Sequence, residues 1–129
     1  MLKRKLSERG ITGVEVESAA TSNEEEGNPV YPPAKALLKS KGIDCEGKRA
    51  RQLKKSDGER FDLFICMDDS NVRRAISILG EQHASKCVKL LSFVHSDANV
   101  ADPWYTRDFT TCYNDIDRGL NALIETLTL

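Results

Sequence analysis

A chain of 129 residues with 40% hydrophobic and 30% charged side chains is large enough for one domain with a real core, and neither disordered nor built for a bilayer. Its 19 Lys and Arg against 20 Asp and Glu leave a net charge of −1, which argues against a nucleic-acid binder, a class that carries a basic excess. No apolar run approaches the roughly eighteen residues of a membrane helix, and residues 1–129 read as a single domain.

Met1-Leu2-Lys3-Arg4-Lys5-Leu6 is basic but lacks the apolar stretch of a secretion signal. Val14-Glu15-Val16-Glu17-Ser18 alternates apolar and polar residues, the pattern of a strand. Ala19 to Pro33 reads as a loop, with the acidic run Asn23-Glu24-Glu25-Glu26-Gly27 as a solvated stretch. Pro33 opens a helix with apolar positions Ala34, Leu37 and Leu38, and Gly42 ends it.

Phe61 to Met67 is a short, nearly continuous apolar run, the signature of a parallel strand covered on both faces. Asp68, Asp69 and Ser70 offer caps for a helix in which Val72, Ala75, Ile76 and Leu79 recur three and four apart, and Gly80 closes it. A second apolar run spans Lys86 to Val94, interrupted by Lys89. From about Arg107 to Leu127, residues Phe109, Cys112, Tyr113, Ile116, Leu120, Leu123, Ile124 and Leu127 trace one helical stripe. This alternation predicts a three-layer α/β domain, a parallel sheet flanked by helices.

The four cysteines, Cys45, Cys66, Cys87 and Cys112, include no Cys-x-x-Cys pair. They read as reduced thiols of a cytoplasmic protein. Cys66 and Cys87 fall in the two apolar runs, where buried thiols behave as small hydrophobes. His83 and His95 have no metal-ligand spacing, so no zinc and no other cofactor is expected.

Asp102-Pro103-Trp104-Tyr105 is the stretch richest in chemistry. Proline holds the residue before it in extended backbone, so Asp102 sits in a loop as a general acid would at a pocket rim. Trp104 and Tyr105 can wall a flat ring. The same residues also suit a turn and ordinary packing. Two Cys-x5-Arg matches do not provide a nucleophile. Cys112 and Arg118 lie in the terminal helix, where six residues make about 600° of turn and leave the side chains roughly 120° apart. Cys45 follows a helix end rather than a buried strand, and Arg51 precedes Gln52 rather than Ser or Thr.

Four segments in order resemble the low-molecular-weight protein tyrosine phosphatase family. They are Glu17 to Ser22, Lys48 to Leu53, the run Phe61 to Asn71 ending in Met67-Asp68-Asp69-Ser70-Asn71, and Val100 to Tyr105. The resemblance implies the family's parallel sheet flanked by helices and hydrolysis of phosphotyrosine or another aryl phosphate through a cysteinyl-phosphate. It makes Asp102 the acid that protonates the leaving phenolate and puts Trp104 and Tyr105 beside the substrate ring. The family's loop cysteine attacks phosphorus and its loop arginine clamps the phosphate oxygens.

Residues Met1 to Gly10 resemble the end of the helix that follows that loop. The Cys-x5-Arg-Ser loop and the first central strand have no counterpart in these 129 residues, so the chain reads as N-terminally truncated and inactive by itself. A non-catalytic phosphatase-like binding protein is the alternative, and a thioredoxin-coupled arsenate reductase relative a third reading. The partner implied is a phosphotyrosine protein or aryl phosphate, with no nucleic acid and no membrane. Without its central neighbour, Val14–Ser18 is expected to rearrange within residues 1–33, and exposed strand edges favour self-association.

Overall fold

The computed structural model describes residues 1–21, 27, 30–45, 47 and 50–127, with Trp104 described by its backbone alone. Residues 23–26 of the expected solvated loop, Asn23 and the three glutamates, lie outside the described residues, as do Glu46, Lys48 and Arg49. The chain runs through α1 (Leu2–Glu8), α2 (Pro32–Ser40), the short α3 (Asp57–Arg60), β1 (Phe64–Cys66) and α4 (Asp69–Leu79). It continues through β2 (Cys87–Lys89), the one-turn α5 (Pro103–Thr106) and α6 (Phe109–Leu127). Short 3-10 helices at Glu81–Lys86 and Leu90–Val94 flank β2.

β1 and β2 pair in parallel, with Phe64 opposite Cys87, Ile65 opposite Val88 and Cys66 opposite Lys89. Side chains alternate across a strand, and the packing follows that alternation. Phe64 and Cys66 join Ala75, Leu79 and Cys87 under α4. Ile65 and Met67 pack against Leu90, Leu91, Val100, Leu120 and Leu123 beneath α6. A helix therefore covers each face of the sheet, the three layers the sequence predicts. On the α6 side α1 lies along the terminal helix, its Lys5 ammonium 2.6 Å from Asp117 and 2.9 Å from the Asn121 side-chain oxygen.

α4 forms where its caps are written. The Asp68 carboxylate accepts the Asn71 N–H at 2.7 Å, and the Asn71 side-chain oxygen accepts the Met67 N–H at 3.3 Å. This reciprocal cap satisfies one orphan donor of the helix and one of the strand end. Gly80, with φ of 103°, ends the helix in backbone that other residues rarely adopt.

Three expectations need correction. Val14–Ser18 is not a strand. Among the described residues it has no ladder partner, and the nearest pairing is an isolated parallel bridge between Ala20 and Gln52. Alternation makes a segment fit a sheet, but a ladder needs a neighbouring edge. Charge fixes the segment instead: Arg60 pairs with Glu15 and lies 2.6 Å from Glu17, while Arg51 lies 3.7 Å from Glu17.

The run Phe61–Met67 contracts to the strand Phe64–Cys66, in which Phe64 and Ile65 are half-buried and Cys66 is buried. Asp62 and Leu63 are exposed. The run Lys86–Val94 is strand only over Cys87–Lys89, after which Leu90 and Leu91 turn into a 3-10 helix, both buried under α6. Apolar content is the same in either geometry, so the pattern could not separate them.

Candidate functional site

The loop carrying Asp102 leaves the end of the 3-10 helix Leu90–Val94 and crosses the C-terminal ends of both strands. His95, in left-handed backbone with φ of 58°, turns the chain. Val100 is buried, and its N–H donates to the carbonyl of Met67, the residue after β1, at 2.8 Å. Asn99 accepts the N–H of Asp69 at 3.1 Å through its side-chain oxygen. The loop is thus fastened to the end of β1 and to the first turn of α4. Open parallel sheets carry ligands at this end of their strands.

Asp102 follows at the surface. Its carbonyl accepts the N–H groups of Tyr105 and Thr106 at 3.1 and 3.2 Å, which starts α5 directly after the acid. Pro103 opens that turn, as its fixed φ and missing N–H allow. Tyr105 is 82% exposed, so its ring has free space around it. Trp104 lies in the same turn, and its side chain is outside the described residues.

Arg107, with φ of 59°, reverses the chain into α6 and reaches the Tyr31 hydroxyl at 3.4 Å. Tyr31, at the start of α2, stacks on Phe109 with ring centroids 6.0 Å apart. The Asp102 turn is thereby tied to α2 as well as to the sheet. Neither contact is apparent in the sequence, because each joins residues far apart that share no periodicity.

Of the thiols, Cys112 lies on α6, and burial above all, with the charges of Asp102, Asp115 and Asp108, pushes its pKa up. Arg118 points to Asp115 at 3.6 Å. Burial raises the Cys87 thiol too, and takes Cys66 to about 11 with help from its neighbours Cys87 and Asp68. A nucleophilic cysteine needs the opposite environment.

Arg51, six residues after Cys45 in the sequence, is already committed. It donates to both Asp57 oxygens at 3.1 and 3.3 Å. Asp57 is buried and also accepts the Lys54 N–H at 2.8 Å. Burial works to raise its carboxyl, but the Arg51 hydrogen bonds, the Lys54 N–H and the nearby arginine charges outweigh it and hold the carboxyl below its ordinary range. An arginine in such a bidentate pair is not available to clamp phosphate.

The fold and loop define a class: a parallel α/β domain with an exposed aspartate, Asp102, and an exposed tyrosine, Tyr105, on a loop at the C-terminal ends of its strands. The family model for low molecular weight phosphotyrosine protein phosphatase matches residues 1–129, and the chain belongs to that family. It is 30% identical over 124 residues to the low molecular weight protein-tyrosine-phosphatase YfkJ of Bacillus subtilis, covering 94% of this chain and 80% of the relative. The PtpA phosphatase of Staphylococcus haemolyticus is 30% identical over 126 residues, or 97% of this chain and 80% of its own length.

The crystal structure of Bacillus subtilis YfkJ superposes with a TM-score of 0.92 at 29% identity, over 98% of this chain and 82% of that one. The phosphatase SP-PTP of Streptococcus pyogenes gives 0.84 at 30% identity, over 98% and 79%. Among the described residues no helix is long and apolar enough to cross a membrane.

Proposed function

We propose that this domain supplies the acid half of phosphotyrosine or aryl phosphate monoester hydrolysis. Asp102 protonates the departing phenolate, and Trp104 and Tyr105 flank the substrate ring. The observation that carries the reading is the anchoring of Val100 to Met67, which holds an exposed carboxylate at the end of the sheet in a family of tyrosine phosphatases. A phenol leaves with a pKa of about 10, so a proton delivered in the transition state removes a large unfavourable charge.

Attack on phosphorus requires a low-pKa thiolate and an arginine in a phosphate-cradling loop. The 129 residues contain no Cys-x5-Arg-Ser run. Cys66, Cys87 and Cys112 are pushed the wrong way, and Arg51 is held by Asp57. A polypeptide of these residues alone is therefore inactive, and activity needs that loop supplied ahead of them. The raised thiols also weigh against an arsenate reductase, whose chemistry needs exchangeable resolving cysteines.

Incubating the purified 129-residue chain with p-nitrophenyl phosphate tests this. No turnover above background is expected. Turnover abolished by Cys45→Ser would make Cys45 the nucleophile and overturn the reading. A non-catalytic binding role predicts instead that a phosphotyrosine peptide binds this chain through the Asp102 rim, so that Asp102→Asn or Tyr105→Ala changes its affinity.

A further inference from the structure

Lys89 is the last residue of β2, and the sequence marks it only as a charge interrupting an apolar run. Its side chain is 13% exposed and its ammonium lies 3.1 Å from the Asp69 carboxylate at the start of α4. The same ammonium donates to the Asn99 side-chain oxygen at 3.1 Å and to the carbonyl of Asp97. Three acceptors from two elements meet at one point, and an ammonium has three donors on a flexible stem to satisfy them. Without a cation there, the carboxylate and two oxygen dipoles would face one another.

Two of those acceptors belong to the loop that carries Asp102. The Asn99 oxygen also takes the Asp69 N–H at 3.1 Å, and the next residue, Val100, is pinned to Met67 at 2.8 Å. Asp102 is two residues beyond. We propose that Lys89 is a positioning residue for Asp102. By gathering Asp97, Asn99 and Asp69 it fixes where the loop crosses the strand ends, and so where the acid emerges. The proposal rests on reading Asp102 as the general acid. A small displacement of such a group costs rate steeply, because proton transfer needs hydrogen-bond reach.

Lys89→Met keeps most of the stem's bulk and removes the donors, and Asn99→Ala removes one acceptor without touching the sheet. Amide hydrogen exchange on the 129-residue chain reads the anchoring through Val100, Tyr105 and Thr106. Each variant is expected to speed exchange at these amides about tenfold while α6 amides change little. Lys89→Arg, which keeps the charge but not the compact geometry, should restore part of the protection. Unchanged Val100 exchange in both variants, or a rise that α6 shares equally, would overturn the clamp.

Exchange involves no chemistry, so it can fail while Asp102 remains the acid. The converse test uses this domain joined to a relative's phosphate loop. There Lys89→Met should lower kcat more for phenyl phosphate than for p-nitrophenyl phosphate, with KM steady, whereas an equal loss on both would contradict a role through Asp102.

Discussion

Gly119 lies so close against Leu90 that a Cβ built on it would fall 2.5 Å from the Leu90 Cγ. Leu90 is fully buried and cannot swing aside. The contact sets how closely α6 approaches the 3-10 helix that leads from β2 to the acid loop. Gly119→Ala gains up to about 1 kcal/mol of helix propensity, while overpacking costs about 1–3 kcal/mol. Packing wins, so thermal melting should show a lower Tm. A variant as stable as the parent would mean that α6 can move outward freely.

Asp57 gives stability a sign with pH. Its carboxyl is held below the ordinary range by Arg51 and Lys54 against the opposing effect of burial. The unfolded chain therefore takes up that proton first as pH falls. The stabilisation is complete above the unfolded value, about 4, and is lost as pH drops through the depressed folded value. Asp57→Asn should lower stability at neutral pH by about 1–3 kcal/mol and flatten the acid limb of a denaturation series. Parallel acid limbs for the two proteins would refute this.

The thiols separate by reactivity. With its pKa pushed up to about 11 by burial, Cys66 carries far less thiolate at neutral pH than a free cysteine does. Alkylation with iodoacetamide, followed by peptide mapping, should find Cys66 unlabelled until the chain is unfolded. Rapid labelling of Cys66 in the native protein would show that β1 opens far more readily than its packing implies.

Salt should loosen Val14–Ser18 selectively. Its ties to Arg60 and Arg51 are surface ion pairs, and such pairs weaken once ionic strength approaches about 1 M. Limited proteolysis within this segment is expected to accelerate with salt, while the ladder-held Cys87–Lys89 stays resistant. An insensitive segment would mean that apolar packing, not charge, keeps it in place.

What could be read from the sequence depended on how local the physics was. The Asp68 cap, the α4 stripe and the long α6 face were legible because a helix writes its own periodicity and end signals. Val14–Ser18 was misread because alternation records suitability for a sheet, whereas a strand exists only with an edge to pair. Leu90 and Leu91 were buried as expected, but burial does not distinguish strand from 3-10 backbone. Asp102 was placed correctly outside regular structure, but the helical turn Pro103–Thr106 directly after it was not anticipated. The loop's fastening through Lys89, Asn99 and Met67 was invisible, since those contacts join separate elements, and so was the Asp57 pair that occupies Arg51.

The central claim is that Asp102 delivers a proton to the leaving group. The direct measurement compares Asp102→Asn with its parent, each joined to a relative's Cys-x5-Arg-Ser loop, across aryl phosphates of graded leaving-group acidity. An amide cannot give the proton, so kcat should fall about 10²–10⁴-fold for phenyl phosphate, and the loss should shrink steadily as the phenol becomes more acidic. A loss of the same size across the whole series would contradict the acid role and leave Asp102 as a residue that only shapes the rim.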